Sequence, residues 1–167
     1  MIVLHRTTEG CRFLLVRSRL TKRPLWEFPK GGLAAGETAK VAALRELFEE
    51  TGLAEADVRL LPKWVRKEDY RFNTGHGETR TVVRKKVTYY LAESMRTDVR
   101  VSVKEASEFA WLPLEEAQRR IRYPTRRAML EAAARAASCS KLREDGSQSE
   151  TSSRRREARS RSGRDSA

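Results

Sequence analysis

No stretch of this sequence approaches the roughly 18 consecutive apolar residues that a membrane-spanning helix requires, so no membrane partner is expected. The opening residues, MIVLHRTTEG, lack the basic start, long apolar centre and small-residue cleavage site of a secretory signal. Cysteine is scarce. The two present, Cys11 and Cys139, match no metal-binding or disulfide spacing. They are expected as free thiols in a reducing cytosol, which makes the expected location cytoplasmic. There are no clear internal repeats.

With 39% hydrophobic and 35% charged residues over 167 positions, the chain can build one domain with a modest core under a heavily solvated surface. Acidic residues are outnumbered, and the formal net charge is +12. From Ser138 onward there are eight Lys/Arg against five Asp/Glu, which accounts for +3 and leaves +9 in the first 137 residues. A basic surface suits either the phosphates of a nucleic acid or small polyanions drawn into a cleft. The stretch from Ser138 to Ala167 has almost no large apolar residues and is built of Ser, Arg and acidic residues. It cannot bury enough surface to offset the entropy of ordering. Residues 1–137 are therefore expected to form the domain, and 138–167 a disordered Ser/Arg-rich tail. That tail is either plain solvated chain or an accessory segment for RNA or polyphosphate.

Within the domain, alternation predicts strands over Ile2–Arg6 and Arg12–Arg17, joined by a polar turn ending in Gly10 as an antiparallel hairpin. A basic loop, Ser18–Pro24, leads to WEFP. Thr38 to Thr51 reads as a helix, with Ala39, Val41, Ala42, Leu44, Leu47 and Phe48 on its apolar face and Gly52 as its stop. Strands are expected over Val58–Val65 and Thr79–Leu91 around a polar loop containing NTGHGE, and over Phe109–Leu112. One helix is expected from Pro113 or Leu114 up to the break at Tyr123-Pro124, and a last one over Thr125–Ala137.

The chemistry concentrates in GGLAAGETAKVAALRELFEETGL. Glu46, Glu49 and Glu50 fall at i, i+3 and i+4, so a helix stacks three carboxylates on one face. They repel one another, and they sit late in the helix, where the dipole disfavours them. Alone, such a face also suits a solvated acidic surface. A divalent cation would relieve the conflict, and oxygen-only ligation points to Mg²⁺ or Mn²⁺, not zinc. Arg45 stands where it can pair with Glu37 or Glu49. Gly31, Gly32 and Gly36 permit a tight loop before the helix, with Lys30 placed to meet phosphate.

The spacing Gly31, five residues, Glu37, seven residues, then Arg45-Glu46-Leu47-Phe48-Glu49-Glu50-Thr51-Gly52-Leu53 resembles the Nudix box, G-x5-E-x7-R-E-U-x-E-E-x-G-U, at all nine specified positions. The box spans 23 residues, and the flanking strand pattern extends the resemblance over roughly Ile2–Ala137. It implies an α/β/α sandwich around a mixed sheet. It also implies that Glu46, Glu49 and Glu50 bind the catalytic metal, and that Gly31, Glu37, Arg45 and Gly52 support the loop and helix. Metal would neutralise substrate phosphates and activate a water for attack on phosphorus, with catalysis mostly positioning and charge stabilisation. The base varies in this family: Glu50, Glu46 or a downstream carboxylate can serve, with Glu105 expected ahead of Glu108. Nudix domains usually begin with a small-residue segment such as SAGAIV, and Met1-Ile2-Val3 starts inside it.

WEFPKGG resembles the WxFPKG run of dinucleoside polyphosphate hydrolases, especially those that cut diadenosine tetraphosphate to ATP and AMP. By the same resemblance Lys85 and Tyr89, on one side of a strand, would face polyphosphate, and Tyr123 would stack on adenine, worth about 1–3 kcal/mol. For all three the plain alternative is packing or solvation. Tyr70 has a weaker claim as an aromatic platform, and His5 and His76 carry little weight. A nucleotide polyphosphate is thus the expected partner. RNA 5′ ends, inositol pyrophosphates and damaged nucleoside triphosphates remain as other substrates. A module that only binds nucleotides or RNA is the non-enzymatic reading, and the intact Glu46, Glu49 and Glu50 argue against it.

Overall fold

Strands alternate their side chains between two faces, and here both faces need cover. In β1 (Ile2–Thr7) and β2 (Gly10–Ser18), Ile2, Leu4, Phe13 and Leu15 point one way, and Val3 and Leu14 point the other. All are fully buried. The computed structural model describes residues 1–19, 24–75, 81–102, 104 and 106–139, and in it helices cover both faces. The remaining elements are β3 (Leu25–Glu27), α1 (Ala39–Thr51), β4 (Val58–Thr74), β5 (Thr81–Ser94), β6 (Ala106–Pro113), α2 (Leu114–Arg120) and α3 (Pro124–Ala136). One core joins Ile2, Leu4, Phe13 and Leu15 to Ala117, Ile121, Met129, Leu130 and Ala133 under α2 and α3. The second joins Met1, Val3, Leu14 and Ala92 to Leu44 and Leu47 of α1. This is the expected α/β/α sandwich.

The sheet runs β3-β2-β1-β5-β4, with β6 also pairing β2. It is mixed, because β1 and β5 are parallel (Ile2 opposite Leu91) while the other pairs are antiparallel. The β1–β2 hairpin forms as the alternation predicts, with Leu4 opposite Phe13. The helix at Thr38–Thr51 also forms. Thr38 caps it, its hydroxyl accepting from Val41 N at 3.3 Å, and Gly52 ends it at φ +72°, donating to Phe48 O at 2.8 Å.

Three expectations change. β4 and β5 run on to pair Thr74 with Thr81, well past the expected end at Val65. Most of residues 66–74 are exposed, Glu68 and Tyr70 excepted, so no long apolar alternation marks the arm, and its ladder is held by backbone pairing and the Asp69–Arg84 ion pair. Ser18, expected in the loop before WEFP, ends β2, and Trp26 and Glu27 of WEFP join β3, which pairs with Ser18, Arg17 and Val16. The cysteines are not free thiols: Cys11 on β2 and Cys139 just beyond α3 form a disulfide with Cα atoms 5.5 Å apart. Their separation of 128 residues hides the pairing from any spacing argument. It arises because α3 returns across the sheet to the β1–β2 turn, where Arg6 Nη2 donates to Ala137 O at 2.7 Å. The paired cysteines remove the support that free thiols lent to a cytoplasmic location. No helix among the described residues is long and apolar enough to cross a membrane. The rest of the expected tail, 140–167, lies outside the described residues.

Candidate active site

Position 31 shows what glycine does in the loop before α1. A Cβ there would lie 1.9 Å from the Glu46 carboxylate, far inside contact distance, so only a bare backbone lets the loop close over Glu46 where that side chain now stands. Glu46 and Glu50 are 7% exposed, whereas Glu49 is half-exposed. A Glu50 oxygen accepts from the Lys30 backbone N at 3.2 Å, which draws the loop onto the helix.

Arg45 organises the rest. Its Nε and Nη2 make a two-pronged contact with Glu37, at 3.0 and 3.1 Å, and Nη2 also donates to Gly32 O at 2.7 Å. Its Nη1 donates to Glu46 at 2.8 Å and to Glu49 at 3.0 Å. Glu37 in turn accepts from Ala34 N at 3.0 Å. The Arg45 hydrogen bond, with help from that N–H, holds the Glu37 carboxyl below its usual range. Loop, helix and carboxylates are thus joined through one guanidinium, whose planar fork suits the task.

Among the described residues, no three acidic, His or Cys side chains are gathered so as to hold an ion as they stand, since Arg45 draws Glu46 and Glu49 to itself. The donor set nevertheless fits a hard divalent cation: oxygen ligands only, two of them buried, under a loop that leaves room for no side chain at position 31.

Other expected site residues separate. Lys30 lies at the loop, with its ammonium 2.9 Å from Glu27 and a side chain only 16% exposed. Lys85 stands opposite Tyr70 in the β4–β5 ladder. Tyr89, expected to face substrate, is 1% exposed, and its hydroxyl donates to Glu68 at 3.1 Å. The register puts it under α2 and α3, against Phe28, so it presents no open surface. Tyr123 is 43% exposed at the start of α3. Glu105 and His76 lie outside the described residues. Glu108 is exposed and paired with Arg17 at 2.5 Å, and His5 makes a structural contact with Ser94 O at 2.9 Å. Three charged residues of one network went unread in the sequence: Glu27 and Arg126, both buried, and Glu68, half-buried. Their only signal was the Glu inside WEFP, because Arg126 meets Glu27 across 99 positions.

Residues 1–133 match the NUDIX domain. The chain belongs to the Nudix family. The RNA pyrophosphohydrolase of Legionella pneumophila (strain Corby) is 32% identical over 115 residues, 64% of this chain and 66% of that protein. The chain thus spans just under two thirds of the length of that relative, and 42% of the putative mutator protein MutT4 of Mycobacterium tuberculosis. Among solved structures, the C. elegans Ap4A hydrolase in a binary complex shares the fold with a TM-score of 0.71 at 22% identity, covering 82% of this chain and 93% of that one. The MutT protein from Methanosarcina mazei Go1 gives a TM-score of 0.52 at 26% identity, covering 81% and 91%. Nudix enzymes generally use a divalent metal, which is the chemistry the Glu46, Glu49 and Glu50 donors suit.

The close approach at position 31 yields a test. In Gly31→Ala the new methyl meets the flexible end of Glu46, so the carboxylate moves at little cost in stability. If Glu46 serves the reaction, turnover of a pyrophosphate substrate is expected to fall about tenfold, since displacing a reacting group is costly, while Tm shifts by only a few degrees. A large Tm loss with proportionate activity loss would make Gly31 merely structural.

Proposed function

We propose that this chain is a Mg²⁺-dependent pyrophosphohydrolase of nucleoside polyphosphates, with dinucleoside polyphosphates such as diadenosine tetraphosphate as its preferred class. The reading rests on Glu46 and Glu50 buried together beneath a loop whose Gly31 leaves room for nothing but backbone. Glu46, Glu49 and Glu50 are the residues that would hold Mg²⁺, or Mn²⁺, and the ion would supply phosphate neutralisation and an activated water. Arg45 positions Glu46 and Glu49. Lys30 meets the phosphates, its ammonium held in place by Glu27. Lys85 adds positive charge on the β4–β5 arm, and Tyr123 offers its exposed ring to a base. Glu105 is the proposed base.

A second reading, hydrolysis at triphosphorylated RNA 5′ ends, is favoured by the name of the 32%-identical relatives and by the arm. There Lys67, Arg71, Lys85 and Lys86 line strands β4 and β5. The two readings share their chemistry and differ in where kcat/KM is largest. The test is Mg²⁺-supported turnover of diadenosine polyphosphates, 5′-triphosphorylated RNA, inositol pyrophosphates and nucleoside triphosphates. Diadenosine tetraphosphate is expected to be cut with the highest kcat/KM. A larger value for RNA ends would move the substrate to the second reading, and no turnover of any substrate by folded protein would sink both.

A further inference from the structure

The Nudix box accounts for Arg45 and its carboxylates but not for a second set of charges buried beside them. Arg126, 5% exposed, donates from Nε to Glu68 at 3.0 Å and from Nη1 to Glu27 at 3.1 Å. The same Glu27 oxygen takes the Lys30 ammonium, and the same Glu68 oxygen takes the Tyr89 hydroxyl. Two cations and two carboxylates balance. They come from β3, the box loop, β4 and α3, with Tyr89 joining from β5. The assembly is local because β3 is bridged to the α2–α3 link at Trp26–Ile121, which turns Glu27 toward the first turn of α3. Its guanidinium also lies 4.9 Å from the Tyr123 ring and 5.5 Å from the Tyr70 ring, so it covers one face of Tyr123 while that residue stays 43% exposed.

Buried ion pairs of this kind often stabilise no better than apolar side chains of the same volume, so stability alone does not account for the quartet. What the quartet does uniquely is join Lys30 to Tyr123 through two side chains, Glu27 holding the ammonium and Arg126 gripping Glu27 while covering the ring. Resting on the pyrophosphohydrolase reading, we propose that Arg126 is a positioning residue that locks the Lys30 ammonium and the Tyr123 ring into one unit, so that phosphate and base are recognised by coupled contacts. A planar fork can serve two carboxylates and stack on a ring at once; an ammonium cannot. The substrate class this selects is a nucleoside polyphosphate, in which base and phosphate chain arrive together, over inorganic polyphosphate.

The test compares wild type, Arg126→Met and Arg126→Lys with Mg²⁺ and diadenosine tetraphosphate. Arg126→Met is expected to raise KM at least about tenfold with kcat within about threefold, because Glu46, Glu49 and Glu50 are untouched; Arg126→Lys restores only part. In the wild-type background, Lys30→Met and Tyr123→Ala should combine to less than the product of their separate KM effects. In the Arg126→Met background they should multiply. A folded Arg126→Met with unchanged KM, or with kcat falling at constant KM, overturns the proposal. Should that variant fail to fold with Glu27 and Glu68 uncompensated, Arg126→Met/Glu27→Gln/Glu68→Gln takes its place, with the same rise in KM expected. If wild type cuts no pyrophosphate, the functional reading fails, and Arg126 is judged by calorimetric binding of ATP and tripolyphosphate. ATP affinity is expected to fall about tenfold in Arg126→Met with tripolyphosphate much less affected; an equal loss for both, or no loss of ATP affinity, overturns the proposal.

Discussion

Replacing Glu50 by Gln is expected to lower turnover about 10²-fold or more while leaving the fold intact. Glu50 is 7% exposed, and its oxygen accepts from the Lys30 backbone N at 3.2 Å. The Gln amide oxygen can keep that contact, because side-chain length and shape barely change, so the loop before α1 stays on the helix. What disappears is one negative charge, needed either to hold a divalent cation or to accept a proton. Stability is expected to change little, since Gln keeps the size of Glu50 and its contact with the Lys30 backbone. Activity should therefore fall with little change in stability. The measurement is kcat over a Mg²⁺ titration alongside a thermal melt. A requirement for more Mg²⁺ would assign Glu50 to ion binding, whereas a lower kcat at saturating Mg²⁺ would assign it to proton transfer. Near-normal activity at all Mg²⁺ concentrations would mean that the box carboxylates do not form the reactive centre.

The parts of this protein legible in its sequence are those whose physics is local. The Thr38 cap, the Gly52 stop and the spacing from Gly31 to Leu53 lie within one loop and one helix, where hydrogen-bond rules and a 3.6-residue period apply directly. The structure adds the reason Gly31 is glycine, which is the distance to Glu46 and not a turn. Tyr89 shows the limit of strand periodicity. Alternation placed it with Lys85 on one face, but only the packing of α2 and α3 reveals that this face is closed over Tyr89. Residues 66–74 show a different limit, since a solvated two-stranded arm has no apolar stripe to announce it. The Glu27–Arg126–Glu68 network was illegible for a topological reason. Its members lie 58 and 99 positions apart and meet because β3 and α3 converge at one end of the sheet. Buried charges of opposite sign leave no pattern in a linear sequence unless their partners are neighbours.

The Cys11–Cys139 bond spans more of the chain than that network, and its removal is expected to have the largest effect on stability. Cross-linking positions 128 residues apart constrains most of the unfolded chain, and native disulfides closing long loops typically contribute about 2–4 kcal/mol. For a domain of this size that corresponds to a fall in Tm of roughly 6–15 °C. Cys11→Ser and reduced wild type should therefore melt together, well below oxidised wild type, and reductant should leave Cys11→Ser unchanged. The site should be affected little at temperatures below the transition. Cys11 is about five residues along β2 from Val16, which pairs with Glu27, or about 17 Å at 3.3 Å per residue. The bond fastens the C-terminal end of α3 to the hairpin turn, while Arg126 sits at the N-terminal end of the same helix. If α3 transmits that restraint along its length, loss of the bond should raise KM modestly as the melting temperature is approached, before kcat changes. Identical melting with and without reductant, together with two alkylatable thiols in the untreated native protein, would show that the cysteines are not paired in solution.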